Sequence, residues 1–460
     1  MSVSILNDSM KIGRLKRPGG RQELRNREFV LLLIAFAISL AAIIIIQTAV
    51  LGEVEFGMLA MMGALGALVL VFHVVLRFTA PQADAVIVPI ATALNGLGIA
   101  EIYRIDLADE ATGWDALSVK QCAWTALALL VSIALILIVR HHRVLQRYTY
   151  TSGLVAVILL FLPVVPGIGI EVNGARVWIQ IAGLTFQPGE VAKIALAIFF
   201  AGYLVQHRET LSMVGRQFLG ARLPRGRDLG PILSVWVLSM AVIVLQRDLG
   251  TGLLYFGLFL VMLYAATGRA SWVALGVGLF VTGAVAANFL LGYVNDRFAN
   301  WYDAFNPDRY DEIGGSFQLV QGLFGLAHGG VLGTGLGQGL PYITPVSQSD
   351  YIVASLGEEL GLAGLFAILC LYLVLTTRGL RIGYIASDEF SKLLATGLAF
   401  VIALQCFIVI GGVTRVIPLT GLTTPFLAAG GSSLVANWMI IAILLRLSDS
   451  ARSRTRLVVE

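Results

Sequence analysis

Charge is scarce in this chain. Lys, Arg, Asp and Glu make up 13% of its 460 residues, against about 25% in soluble globular domains. Cysteine is scarcer still. Cys122, Cys370 and Cys406 all lie in apolar runs, so they offer neither a disulfide framework nor zinc spacing and read as small buried apolar residues. Several motifs are missing: no Walker A sequence, no G-x-G-x-x-G after a strand, no H-E-x-x-H and no metal-ligand cluster. Each absence removes the function class that the motif would carry. No internal repeat divides the chain into the matched halves of many transporters.

What the chain has is apolar length. It is 57% hydrophobic, and a span needs about 20 apolar residues. Runs of that kind lie near 29–51, 56–76, 84–103, 118–139, 148–165, 186–205, 229–246, 249–267, 271–293, 351–376, 389–411 and 424–446. The pair 229–246 and 249–267 is separated only by Gln246, Arg247 and Asp248, and also reads as one kinked hairpin. The expected fold is an all-α polytopic membrane protein of about 10–12 transmembrane helices, with a large extracellular loop before the last three.

The basic residues set the orientation. Lys11, Arg14, Lys16, Arg17, Arg21, Arg25 and Arg27 crowd the first 28 residues, and more Lys and Arg fall in 140–147, 207–227, 377–392 and after Leu445. Acidic residues mark the opposite loops: Asp106, Asp109, Glu110 and Asp115 in one, Asp296, Asp303, Asp308, Asp311 and Glu312 in the longest. By the positive-inside rule both termini are cytoplasmic and the long loop faces outside, away from ATP. The first 28 residues precede a run long enough to span and lack a small-residue cleavage site, so they read as a cytoplasmic tail and not as a cleaved signal. Their charge suits anionic lipid better than nucleic acid.

The segment from Asn295 to Gly364 organises the rest. It is the longest interval that no bilayer would accept, and long loops of this kind are usually functional or disordered. Within it lie an aromatic and acidic part, a short helix over Phe317–Ala327, a glycine run, and Asp350 where the chain re-enters an apolar helix.

Four polar clusters could carry chemistry. In 173–193, Pro188 suits the first turn of a helix, with Glu190 near its positive end and Lys193 one turn on. Arg176 and Trp178 precede them. These can be a helix-start ion pair and an interfacial anchor, yet a lysine inside a span needs a partner. At 246–248, Arg247 and Asp248 either cap a tight turn or offer Arg247 to a phosphate. In the long loop, Asp350 reads as a helix N-cap or as a carboxylate base made more basic by a low-dielectric cavity; Glu358 reads as the partner of a buried cation. In 411–433, glycine and proline break the helix beside Arg415, and such backbone is tolerated at membrane depth only against protein or a wet cavity.

These segments resemble the SEDS family (shape, elongation, division and sporulation). The run 174–193 is similar to the family's GA-x-x-W…QP-x-E-x-x-K, and LQRDLGTG (245–252) to its Q-x-D-x-G-T. AHGGVLGTGLGQG (327–339), SDYIVASLGEELGLAG (349–364) and IPLTGLTTPFLAAGGSS (417–433) resemble three further family segments in the same order. Departures are small: Gly189 replaces the usual serine, Ser349 the usual threonine, and LPYITPVSQ blurs the usual Leu-Pro-Glu. The chain looks like the elongation-type, RodA-like branch in an actinobacterial form. Its expected parts are a tail at 1–28, an extra helix pair at 29–83, a core at 84–446 with its loop at 294–350, and a second tail at 447–460.

The resemblance implies an inverting glycosyltransferase of the plasma membrane. It would polymerise lipid II at the outer face beside a class B penicillin-binding protein, with undecaprenyl pyrophosphate as leaving group. Asp350 matches the family's essential aspartate, the candidate general base. Trp178 and Lys193 match further family positions, with Lys193 expected near that aspartate. Arg176, Lys193, Arg247 and Arg415 are the candidate pyrophosphate cations, and Glu190, Asp248 and Glu358 complete the substrate-side set. A divalent ion, Mg or Mn, could share the task of these cations, and it would have to lean on Asp350 and substrate phosphate. The alternatives are a lipid II flippase and a non-catalytic scaffold of a synthase complex.

Overall fold

The computed structural model describes residues 21–457 apart from 173, 182–183, 213–216, 219–220 and 223–228. Lys11, Arg14, Lys16 and Arg17 of the basic tail, and much of the basic segment 207–227, lie outside the described residues.

Every apolar run becomes a helix. In order these are α1 (Arg21–Val50), α2 (Phe56–Thr79), α3 (Ile87–Ala108), α4 (Leu117–Ile138), a short α5 (Arg143–Arg147), α6 (Thr149–Phe161), α7 (Pro188–Ser212), α8 (Gly230–Gln246), α9 (Leu249–Thr267) and α10 (Ala270–Leu290). The long loop holds α11 (Gly292–Tyr302), α12 (Pro307–Asp311) and α13 (Phe317–Gly329) before α14 (Ile352–Ile385), α15 (Glu389–Val413) and α16 (Gly431–Leu457). Among the described residues, nine helices are long and apolar enough to cross a membrane. The other three expected spans are α6 and α8, which are shorter, and α3, which is 22 residues long but carries Glu101, Arg104 and Asp106. The last span begins at Gly431 and not near 424, because 417–430 runs as irregular backbone. The chain is a predominantly helical, multi-pass membrane protein.

Local chemistry fixes the ends. Pro188 opens α7, where its missing N–H costs nothing. Asp248 accepts from Thr251 N at 2.9 Å to cap α9, and Gly268 closes that helix in the left-handed region at φ +68°.

The helical fold also carries short strands, including a two-residue pair at Gln217–Phe218 and Ala221–Arg222. Between α6 and α7 the chain forms an antiparallel sheet, β1 (Gly169–Val172), β2 (Ala175–Ile181) and β3 (Leu184–Phe186), in the order β1-β2-β3. Its central strand buries Val177 and Ile179 and exposes Arg176 and Gln180, the two-residue alternation of a half-buried strand.

The α16 helix runs through the centre of the core. Trp438 on it meets Phe72 of α2 edge-on at 6.1 Å and Phe426 at 6.0 Å, and its indole N–H donates to Asn95 Oδ1 of α3 at 3.2 Å. The N-terminal pair is therefore integral to the bundle. Its charges are buried with partners: Glu28 accepts from Arg25 at 2.7 Å and lies 2.6 Å from His73 Nδ1. Arg25 also reaches the carbonyl of Ala83.

The fold's least regular feature is in α14. Gly361 (φ +68°, ψ −175°) interrupts it, dividing it into a short arm that starts beside Asp350 and a long membrane-length part. Into the break fits the glycine run after α13. Thr334 N and Gly335 N donate to the carbonyls of Glu358 (3.0 Å) and Glu359 (2.9 Å), while Leu362 N and Ala363 N donate to those of Gly330 (2.9 Å) and Val331 (3.0 Å). The loop replaces the helical bonds lost at the break, as buried backbone requires. A Cβ on Gly361 would sit 2.2 Å from Gly333 N, so only glycine permits this approach.

Candidate active site

Asp350 lies one residue before the α14 N-cap, Tyr351, and no side chain caps that helix. The capping role suggested by residue type does not exist. The helix starts one residue beyond the position at which Asp350 would cap it, and among the described residues none of its first-turn N–H groups donates to the Asp350 carboxylate. The carboxylate is left to its surroundings, with Ser349 Oγ 3.4 Å from Oδ1. Burial pushes its pKa up to about 6; Arg297 and the Ser349 hydroxyl oppose that rise, and Asp248 adds to it.

Arg297 is the cation that sequence reasoning missed. It stands on α11 and donates through Nη1 to the carbonyl of Leu419 at 2.8 Å. Gly421, in the irregular segment before α16, faces both groups: a Cβ there would lie 3.6 Å from Arg297 Nη2 and 3.9 Å from Asp350 Oδ2. No local pattern marked it; on α11 Arg297 and Trp301 stand four apart on one helical face. Trp301 Nε1 donates to the Arg415 carbonyl at 3.0 Å, so that face lies along 415–421.

Behind this pair lies Asp248. It is buried, accepts from Thr251 N at 2.9 Å and from the Thr251 hydroxyl, and burial raises its pKa despite those bonds and Arg297. Deeper still, Lys193 is 1% exposed and donates to Glu190 Oε2 (2.6 Å), Gln405 Oε1 (2.9 Å) and Asn437 Oδ1 (3.4 Å). An ammonium has three donors, so all of them are occupied. Lys193 and Glu190 form an ion pair within a buried polar network, and the ammonium is not available as a pyrophosphate cation.

The other candidates disperse. Arg176 is exposed on β2 and paired with Glu171 at 2.9 Å; Trp178 stands opposite Ile170 in the β1–β2 ladder. Arg415 donates through Nε to the carbonyl of Trp301 (2.7 Å) and through Nη2 to that of Tyr302 (2.8 Å), and lies 5.4 Å from the Phe305 ring centre. It ties the end of α11 down. Arg247 is exposed in the left-handed conformation (φ 56°), without a hydrogen bond or ion pair among the described residues. Glu358 belongs to the glycine-loop insertion. It accepts from Leu340 N at 3.1 Å and lies 2.9 Å from His328 Nδ1; that imidazole is exposed, so the expected buried cation is not beside it.

Beside the Asp350–Arg297 pair an apolar cavity of about 670 Å³ opens between α9, α10 and α15. Leu253, Phe280, Phe289, Leu404 and Phe407 line it. Leu249, Phe298 and Thr420, also in its wall, are the chain neighbours of Asp248, Arg297 and Gly421. A carboxylate and a guanidinium thus stand close to one wall of an apolar cavity. Among the described residues no three or more His, Cys, Asp or Glu side chains form a metal cage. A Mg or Mn ion would find Asp350 alone as a protein ligand at this point.

Comparison with known proteins agrees with this picture. The FtsW/RodA/SpoVE family model, described as cell cycle protein, matches residues 84–453. The peptidoglycan glycosyltransferase RodA of Mycobacterium tuberculosis (strain ATCC 25618 / H37Rv) is 43% identical over 436 residues, 94% of this chain and 92% of that one. Stage V sporulation protein E of Bacillus subtilis (strain 168) is 36% identical over 300 residues, 64% of this chain and 77% of that one. Among solved structures, a chain from a peptidoglycan synthase complex that coordinates polymerization and crosslinking aligns with a TM-score of 0.64. It has 24% identity and covers 80% of this chain and 98% of its own. The rod shape determining protein RodA of Thermus thermophilus aligns at 0.56, with 24% identity over 80% and 96%. At such identity these two speak for the fold alone.

Proposed function

The chain belongs to the FtsW/RodA/SpoVE family of cell cycle proteins, and on that premise we propose that it is a peptidoglycan glycosyltransferase that polymerises lipid II at the outer face of the plasma membrane. The 43% identical mycobacterial glycosyltransferase supports this activity and the elongation-type assignment. The observation that carries the chemistry is the convergence of Asp350 and Arg297 above Gly421, whose neighbour Thr420 lines the apolar cavity.

The steps follow from that geometry. The polyprenyl tail of a lipid II molecule lies in the cavity, where apolar burial holds it. Its pyrophosphate then sits at the mouth, within reach of Arg297, whose planar fork suits phosphate oxygens. The acceptor's sugar 4-hydroxyl attacks the anomeric carbon of the donor. Asp350 takes the hydroxyl proton as the new C–O bond forms. The bond to pyrophosphate breaks in the same displacement, and Arg297 stabilises the charge that collects there. An α-linked donor giving a β-linked product is inversion in one displacement, so no enzyme nucleophile is needed.

Both termini lie in the cytoplasm in this reading, with 1–28 and 447–460 as tails and 84–446 as the catalytic core. The partner is a class B penicillin-binding protein, the crosslinking half of such a synthase. A gel assay with purified lipid II, with and without that partner and with Asp350→Ala beside wild type, tests the proposal. Glycan polymer from wild type alone is expected. If the partnered wild type makes none from intact lipid II, the polymerase reading falls, and translocation of lipid II across liposomes becomes the measurement of choice.

A further inference from the structure

The helix pair α1–α2 lies before the residues that the family model matches, and the proposed chemistry gives it no task. Its contacts suggest one. The loop-side end of α1 abuts the glycine run. A Cβ on Gly337 would lie 2.9 Å from Ala49 Cβ, 3.3 Å from Val50 Cγ2 and 3.4 Å from Ile46 Cα. Gly337 itself has φ +83°. Leu336 beside it packs against the cluster formed by Ala42, Ile43, Ile46, Met58 and Met62. Gln47, on the same end of α1, donates to Tyr103 Oη of α3 at 3.1 Å.

From Gly337 the connection runs straight to the catalytic arm. Gly337 N donates to Glu359 Oε2 at 2.8 Å and Gly339 N to Glu359 Oε1 at 3.3 Å. Arg104 of α3 donates to Glu359 Oε1 at 3.2 Å and to the Gly339 carbonyl at 2.8 Å. Glu359 ends the short arm of α14 whose other end carries Asp350, and the break at Gly361 uncouples that arm from the long membrane part. Packing of its buried residues 352–356 holds the near end of the arm. Its far end is held by what grips Glu358 and Glu359.

We propose that the N-terminal helix pair is a brace for the catalytic arm: the end of α1 presses on Gly337 and Leu336, these fix Glu359, and Glu359 fixes the position of Asp350. Ala49, Leu336, Gly337 and Glu359 are positioning residues and touch no substrate. This rests on the polymerase reading for its activity readout, but not for its structural one.

The test uses the full-length chain with its penicillin-binding partner. Ala49→Leu places bulk against Gly337 and displaces the run. Small misplacements at a reacting centre are expensive, so kcat should fall about ten- to a hundredfold, with KM for lipid II unchanged because the binding surfaces are untouched. Hydrogen exchange at the Gly337 and Gly339 amides should quicken. Ala49→Ser, which keeps the size, and Ile45→Phe, on the lipid-facing side of α1, should match wild type in both. Should Ala49→Leu fail to fold, Leu336→Ala removes the same contact without added bulk and should give the same pair of changes. Wild-type kcat in these variants overturns the proposal, as does a loss of kcat with unchanged exchange in the loop. If the wild-type chain makes no polymer while Ala49→Leu or Leu336→Ala still quickens the exchange, the polymerase reading alone falls.

Discussion

The Arg297 guanidinium and the Asp350 carboxylate face the same point above Gly421, 3.6 and 3.9 Å from where a β-carbon would stand. One group comes from α11 in the first third of the long loop, the other from its end. The backbone at 419–421 receives both, with the Leu419 carbonyl fixing Arg297. A base and a cation placed this way can accept a proton and neutralise a leaving group in one displacement.

The pH dependence of that displacement has a definite sign. In the proposed mechanism Asp350 works as the carboxylate, and burial raises its pKa to about 6. Activity is therefore present above that value and lost as pH falls through it. A pH–rate profile for polymerisation should show kcat at pH 5 about tenfold below kcat at pH 7. A flat profile across that range would assign the proton to another group.

Arg297→Ala should lower kcat about a hundred- to a thousandfold, the range for removing one electrostatic stabiliser of a transition state. The substitution also removes the charge that holds the Asp350 pKa down. The acidic limb of the residual activity should move to higher pH. Arg297→Lys keeps the charge but not the fork, and should fall between the two.

Lys193 and Glu190 are both buried and bonded at 2.6 Å. Lys193→Met leaves a buried carboxylate without its cation, and the expected loss is about 3–5 kcal/mol. Adding Glu190→Gln should restore most of it. Thermal unfolding of the single and double variants in detergent measures the coupling; additive losses would show that the two side chains act separately.

Glu101 is 1% exposed on α3, and neither carboxylate oxygen has a hydrogen-bond partner among the described residues. A buried acid in that state contributes little that an amide of the same shape would lose. Glu101→Gln should leave stability within about 1 kcal/mol of wild type or raise it. A marked drop in the same unfolding measurement would reveal that the acid is needed in its place.

The helices were legible because an apolar run of bilayer length has few alternatives in water or lipid. The sheet was legible in principle, since Val177 and Ile179 alternate with Arg176 and Gln180, but in so apolar a chain a short alternating stretch is easily absorbed into neighbouring spans. Asp350 was singled out by motif, while the rule for residue types pointed to a cap; the backbone removes the cap, by starting α14 beyond it. Arg297 and the occupied donors of Lys193 were not legible. Each depends on partners more than a hundred residues away, Leu419 for one and Gln405 and Asn437 for the other, and no local pattern announces such a meeting.

The break at Gly361 also changes what a probe on this helix would report. A spin label or fluorophore between Ile352 and Leu360 rides on the arm next to Asp350 and, on the proposed mechanism, should follow the catalytic cycle. The same label past Gly361 sits on a mast planted in lipid and follows bilayer thickness and tilt. Ten residues of one apolar run thus divide two instruments, one tuned to the reaction and the other to the membrane.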